Sequence, residues 1–294
     1  MEKTSLALRV RPAIQADARW IAALIHNPAH FHRHLDWHAP LDWLGFPPFL
    51  VLEEEGGRAV AALACPPDPP QVYWLRFFVH AASLSLESAW HSLWEAVCLE
   101  WQRTGDSGVV AAIALQNWLA EILKASQFQL RQHIVTLARA APFREVPPVA
   151  VPIRPMTVSD LDAVAELDAL AFEPIWRNSV DTLQRAYQQA GIATVIEEAG
   201  QIIGYQISTR NPYGLHLARL AVRPERQRQG LGLMLVADLL QLAAERAILR
   251  VTVNTQDDNL ASLRLYRRLG FQYTGENYPV YEYRFGERRE HGLA

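Results

Sequence analysis

The chain has 294 residues, half of them hydrophobic and a fifth charged, enough apolar material for two domains of ordinary size. A formal net charge of -3 leaves no basic surplus for nucleic acid, and no run of eighteen apolar residues is present to span a membrane. Two cysteines, Cys65 and Cys98, argue against a disulfide framework and suit a reducing cytosol.

The first residues, Met1-Glu2-Lys3-Thr4, carry no apolar leader core, so a cytoplasmic protein is expected. Residues 8–12 read as a strand ending in Arg11-Pro12, and a helix follows. His26, His30, His32, His34 and His38 then cluster around Asp36. Zinc usually takes ligands from separated elements and no Cys accompanies these, so no metal and a partly solvated loop are expected. Residues 49–52 and 59–63 read as strands joined by a tight turn. A long strand, a helix, another strand and a last helix complete the series. Pro142, Pro147, Pro148 and Pro152 then mark an extended linker, since proline fixes φ and lacks a donor.

The same order restarts at residues 151–155. Thr157 and Asp160 form a capping box before the apolar positions Leu161, Val164, Ala165 and Leu167. A loop with Glu173 and Trp176 comes next. Strands at 194–197 and 202–208 precede a long strand at 215–222, a polar turn and an apolar helix from Leu233. Val251-Thr252-Val253-Asn254 reads as a strand, and a last helix carries Leu263, Tyr266 and Leu269.

An offset of 143 residues superposes the two series. Arg11-Pro12 falls on Arg154-Pro155, Asp17 on Asp160, Gly57 on Gly200, Arg76 on Arg219 and Phe128 on Phe271. One offset holding that far is the signature of a duplicated unit. The expected organisation is a first domain at 1–140, a linker at 141–150 and a second domain at 151–294. Each is an α/β domain with a mixed, mostly antiparallel sheet flanked by helices.

The turn after residue 222 contains Gln227, Arg228, Gln229, Gly230, Leu231 and Gly232. A glycine-bearing turn at a helix start presents backbone N–H groups and the positive end of the helix dipole to an anion. The dinucleotide fingerprint fits poorly, because only one Gly pair is present. Downstream stand Asn259, Tyr266 seven residues on, and Gly270-Phe271. Loop and second motif together resemble the GCN5-related N-acetyltransferases (GNAT), over roughly residues 150–286. The resemblance implies two tandem acyl-CoA N-acyltransferase domains, with acetyl-coenzyme A as co-substrate, no metal, and a small-molecule amine or peptide as acceptor. It carries no implication of nucleic acid or membrane partners, and a monomer or homodimer is expected. Peptide or protein N-terminal acetylation and a non-catalytic coenzyme A-binding role are the rival readings.

The resemblance also assigns residues. Strand backbone at Leu220, Ala221 and Val222 would contact pantetheine and polarise the thioester carbonyl, which is oxyanion stabilisation by fixed N–H groups. The loop from Gln227 to Leu233, with Asn259, would hold the rest of the cofactor. Arg226 and Arg228 either add charge near phosphates or are solvated. Tyr266 would be the general acid for the leaving thiolate, a phenol that stays protonated at neutral pH; the plain alternative is a core tyrosine beside Leu263 and Leu269. His216 would be the base, taking a proton through water; Glu276 and Glu282 are alternatives. Trp176 either walls the acceptor site or simply packs.

At the same offset, Glu87 stands opposite Gly230, Leu123 opposite Tyr266 and Gln127 opposite Gly270. The first copy is therefore expected not to bind coenzyme A in the family's manner. Eight of the nine tryptophans lie in it, filling either a rebuilt core or an aromatic acceptor pocket.

Overall fold

The computed structural model describes residues 8–143, 148 and 150–286. Half of the linker expected at 141–150, residues 144–147 and 149, lies outside the described residues. The first series comprises β1 (Arg9–Pro12), α1 (Ala18–His26), β2 (His30–Arg33), β3 (Phe49–Glu53), β4 (Ala59–Ala64), β5 (Tyr73–Trp74), β6 (Phe77–His80), α2 (Leu86–Thr104), β7 (Gly108–Ile113), α3 (Asn117–Ala125) and β8 (Gln129–Ala140). The second comprises β9 (Ile153–Pro155), α4 (Leu161–Ala171), α5 (Val180–Gln188), β10 (Ala190–Glu198), β11 (Gln201–Asn211), β12 (Gly214–Val222), α6 (Leu231–Glu245), β13 (Arg250–Gln256), α7 (Leu260–Arg268) and β14 (Gln272–Phe285). Among the described residues no helix is long and apolar enough to cross a membrane.

The compact units do not follow the boundary expected from the sequence. One is assembled from Met1–Arg131 and Pro279–Ala294, the other from Gln132–Tyr278. The physical reason is an exchange of final strands. β8 and β14 begin at Gln129 and Gln272, the offset of 143 again. In unit 1, Val280 to Phe285 of β14 pair antiparallel with β7. In unit 2, Ile134 to Ala140 of β8 pair antiparallel with β13.

Unit 1 carries an antiparallel sheet in the order β1-β3-β4-β6-β2 and a ladder β5-β7-β14. Its core is aromatic. Trp90, Trp94 and Trp101 of α2 recur on one helical stripe, and Trp101 stacks on Phe285 with ring centroids 3.9 Å apart. The large aromatics of α2 thus build a core. The histidine cluster differs from expectation. It is not a solvated loop: His32 lies on β2 and is 1% exposed, and His34 stacks on Trp74. Burial holds His32 down at about 4, with its Nε2 donating to the Leu75 carbonyl at 3.0 Å.

Unit 2 orders its strands β14-β8-β13-β12-β11-β10-β9, with β12 and β13 parallel. α6 and α7 share a core with β12, β13 and Leu137 of β8. α4 packs on the other face of the sheet. Gly204 of β11 faces Leu235 of α6, whereas its neighbour Tyr205 bonds Asp168 of α4.

The duplication is visible in matched ion clusters. Arg11 pairs with Asp17 and Glu53 at 2.7 and 2.6 Å; Arg154 pairs with Asp160 and Glu197 at 2.8 and 2.6 Å. Each aspartate also accepts the N–H of the residue three before it, Ile14 or Thr157. Arg154 and Thr157 together hold the Asp160 carboxyl down at about 2. The partner of Glu197 is Glu53 rather than Glu54, so the offset slips by one residue in this strand.

Candidate functional site

The site of unit 2 begins with an irregularity in β12. Ser208 pairs with Leu217 but Ile207 pairs with Arg219, leaving Ala218 as an extra residue, a β-bulge. The parallel pairing with β13 runs through Leu215, His216 and Leu217 and stops there. Past the bulge the two strands diverge. Leu220, Ala221 and Val222 keep their partners on β11 and present the other backbone edge to a cavity.

The helix α6 starts at the wide end of that opening. Its N-cap is Gly230 at φ +84, which supplies no capping side chain. Arg228, two residues earlier, is also left-handed at φ +61. Left-handed residues alternating with ordinary ones turn successive N–H groups toward one point, an anion-binding nest at the positive end of a helix. The first helical bond is that of Met234 N–H to the Gly230 carbonyl at 3.0 Å. The side chain of Gln227 secures the loop by donating to the Val222 carbonyl at 3.1 Å. Arg226 is tied to Glu198 and to Gln229, so it braces the loop.

The two glycines serve different purposes. A Cβ on Gly230 would meet nothing within 4 Å, so its left-handed backbone is what requires glycine. A Cβ on Gly232 would lie 3.2 Å from Leu265 Cδ1, so that glycine permits close packing of α6 on α7.

Together these elements enclose a cavity of about 800 Å³. Of the cofactor residues expected from the sequence, Leu220, Ala221, Val222, Gln227, Arg228, Gly230, Leu231, Gly232, Leu233 and Asn259 line it; Gln229 and Tyr266 do not. Asn259 caps α7, its Oδ1 accepting from Ser262 N–H at 3.1 Å. Phe172, Glu173 and Trp176 form another part of the wall.

Tyr266 is 4% exposed and sits with Leu263, Leu269 and Phe271 in the core of unit 2. Burial pushes its phenol above the usual tyrosine value, so the proton is firmly held. His216 stands on β12 one residue before the pairing with β13 ends. Its Nδ1 lies 2.9 Å from Thr252 Oγ1, and burial pushes the imidazole below its ordinary value. It does not line the cavity. Glu282 belongs to unit 1, where it pairs with Arg131, and Tyr281 lies in the unit 1 core. Neither is a component of the unit 2 site, because β14 has left that unit by Pro279.

The sequence reading missed three features. Arg264 and Arg268 line the cavity, and among the described residues neither is in an ion pair. Their spacing of four on α7, beside Ala261 and Leu265, was the available signal. Gln132 of β8 also lines the cavity. The third is a buried network. Asp168 is fully buried and accepts from Arg219 at 2.6 and 2.8 Å, from Tyr205 at 2.5 Å and from Asn178 N–H at 2.9 Å. Arg219 also donates to the Trp176 carbonyl at 2.5 Å and lies 3.5 Å over Phe172. A buried, fully bonded pair fixes geometry more than it adds stability; here it fixes the 172–176 wall.

The first copy is built differently at the corresponding place. α2 has Ser85 as its N-cap, and that hydroxyl accepts from Ser88 N–H at 3.1 Å. The structural counterpart of Gly230 is therefore Ser85, two residues from the Glu87 expected by constant offset. A side chain already occupies a donor that would otherwise meet an anion, and Glu87 adds a carboxylate to the first turn.

A bulged strand, a splayed parallel pair and an uncapped helix start thus meet at one cavity. The model of the acetyltransferase (GNAT) family matches residues 161–271, which lie within unit 2. Mouse N-acetyltransferase family 8 member 3 is 33% identical over 93 residues, which is 30% of this chain; the match spans only 41% of the mouse protein. A peptidyl-lysine N-acetyltransferase of Salmonella typhimurium is 28% identical over 119 residues, 35% of this chain and 76% of that protein. Among solved structures, a tandem GNAT protein from the clavulanic acid biosynthesis pathway aligns over 96% of this chain and 99% of its own, with a TM-score of 0.61 and 17% identity. The architecture is a tandem of two such folds.

Proposed function

We propose that the chain is an acetyl-coenzyme A-dependent N-acetyltransferase acting through unit 2 on a primary amine of a small molecule. The observation that carries this reading is one cavity bounded by both the splayed edge of β12 and the uncapped start of α6. The residues fit the cofactor. Backbone N–H groups at 230–233 would hold the pyrophosphate, with Arg228, Arg264 and Arg268 supplying charge. The free edge at 220–222 would bond the pantetheine amides. When bound, acetyl-coenzyme A supplies a thioester acyl group open to attack by an amine. The chain's own tasks are then to orient the amine and to move two protons. His216, held neutral by burial, is suited to accept one through water from the incoming ammonium. Tyr266 keeps its phenol proton and is the proposed donor to the departing sulfur, on the family resemblance alone, since its ring packs in the core and does not line the cavity. Arg219 and Asp168 hold the wall at Trp176.

A peptide or protein acceptor is the second reading, favoured by the likeness to the peptidyl-lysine enzyme. Thiol release from acetyl-coenzyme A, screened against amines and peptides, tests the proposal. Release that depends on an acceptor supports it; binding of coenzyme A with no turnover on any acceptor would leave a non-catalytic binding protein.

A further inference from the structure

The exchange of final strands brings a residue of the first sequence copy into the site of unit 2. Gln132, near the start of β8, lines the cavity together with Phe172 and Trp176. Its Nε2 is buried and has no hydrogen-bond partner. A buried amide donor left unpaired is costly, and such groups in folded proteins call for an explanation. Other buried side-chain atoms without partners occur on His32, His34 and Trp101 of unit 1 and on Asp238 and Asn254 of unit 2, but none of these residues lines the cavity. At Gln132 the missing partner can come from a ligand.

The face of the sheet says which ligand. Successive side chains of a strand alternate between its faces. Val135 and Leu137 of β8 pack with α6 and α7, and Arg139 donates to the Leu269 carbonyl after α7. Gln132 therefore points to the opposite face, the one on which Arg219 meets Asp168 of α4. The strand is held at this point: His133 N–H donates to Asp257 Oδ1 at 3.1 Å, and its carbonyl accepts from Asp257 N–H at 2.9 Å. The amide is thus fixed at the end of β13, beside Gln256 and Asp258 of the cavity wall.

We propose that Gln132 is an acceptor-recognition residue, its amide N–H₂ donating to a carbonyl or carboxylate oxygen that the substrate carries close to its amine. The inference rests on the acetyl-transfer reading above and deepens it. The acceptor is an amino-acid-like or peptide-like amine, in contrast to a plain alkylamine or polyamine. Gln132 moves no proton. It orients the amine, and the first copy thereby contributes to specificity without binding cofactor.

Two matched acceptor pairs test this: L-phenylalaninamide with phenethylamine, and L-lysinamide with cadaverine. Each pair shares the amine and side chain and differs in the carboxamide. Thiol release is measured for the wild type, Gln132→Met and Gln132→Glu, with acetyl-coenzyme A affinity and thermal stability as controls. The wild type is expected to prefer the carboxamide member in kcat/KM. Gln132→Met should lower kcat/KM for that member about three- to tenfold, the range of a neutral hydrogen bond, and leave the other member unchanged. Gln132→Glu, which replaces the donor by an acceptor of the same shape, should lower it further. KM for acetyl-coenzyme A should stay within about twofold, as befits a contact to the acceptor alone. Transfer without a carboxamide preference, or a preference that survives both substitutions, overturns the role of Gln132 and leaves the activity standing. A change confined to KM for acetyl-coenzyme A overturns it too. Absence of wild-type transfer to every acceptor overturns the underlying activity, and this inference with it.

Discussion

Replacing Gly230 by glutamate places a carboxylate at the start of α6, much as Glu87 does in the first turn of α2. Two costs follow and they separate. The first is conformational: a non-glycine residue at φ +84 costs on the order of 1–2 kcal/mol. No clash is added, since a Cβ there meets nothing within 4 Å. This strain is present with and without ligand, so it lowers Tm and barely touches affinity. The second is electrostatic. At about 5 Å, one pair of like charges costs about 0.8 kcal/mol at the dielectric of water and about 3 kcal/mol at an effective dielectric of 20. Against the two charges of a pyrophosphate the range is about 2–6 kcal/mol, or at least about a thirtyfold loss of affinity. Gly230→Ala carries the strain alone and should bind coenzyme A within about threefold of wild type. Calorimetric titration with coenzyme A at two salt concentrations, alongside thermal melts, measures both. The Glu penalty should shrink at high salt. Equal weakening by Ala and Glu, or wild-type affinity in a folded Gly230→Glu protein, would refute the assignment of this loop to the phosphates.

Tyr266→Phe keeps the ring in the core of unit 2 and should leave coenzyme A affinity within a few-fold while lowering kcat about 10²–10⁴-fold; unchanged turnover would make water or another group the acid. For His216, burial depresses the imidazole, so the acid limb of kcat is expected below the ordinary histidine value of about 6.5. His216→Ala should remove that limb. Two acceptors of different amine pKa distinguish it from substrate ionisation, and a wild-type limb that simply tracks the acceptor would leave His216 structural. His32 gives a stability prediction. Its folded value is about 4. The unfolded side chain binds a proton below about pH 6.5, the folded one below about 4, so stability is complete above about 6.5. It should fall as the pH drops toward 4, by up to about 1.4 kcal/mol per pH unit. Denaturant unfolding followed by tryptophan fluorescence at pH 7, 6 and 5 measures this. His32→Gln, which can still donate to the Leu75 carbonyl, should flatten the dependence; an unaltered slope would assign it to other groups.

Much of unit 2 was legible because its signals are local. The Thr157–Asp160 capping contact, the loop before α6 and the spacing of Asn259 and Tyr266 all depend on residues a few positions apart, or on backbone conformations that only glycine adopts readily. The strand exchange was not legible. β8 and β14 alternate apolar and polar residues in the same way whether each folds back onto its own copy or crosses to the other, so their destinations leave no local trace. That is why Glu282 was offered as an alternative base for a site it does not join, and why Gln132 was overlooked. A constant offset also misaligned the first copy. Small slips moved Glu53 into the place expected for Glu54, and Ser85 into the place expected for Glu87. The buried role of Asp168 was hidden for another reason: its partners Tyr205 and Arg219 come from separate strands, and only the folded sheet brings them together.

Coenzyme A is expected to have one site in this chain, at the uncapped start of α6, because the start of α2 is closed by Ser85 and charged by Glu87. Calorimetric titration of the intact protein with coenzyme A tests it most directly. The expected isotherm has one site per chain and is lost in Gly230→Glu. Two equivalent sites, or a single site that survives Gly230→Glu unchanged, would contradict it.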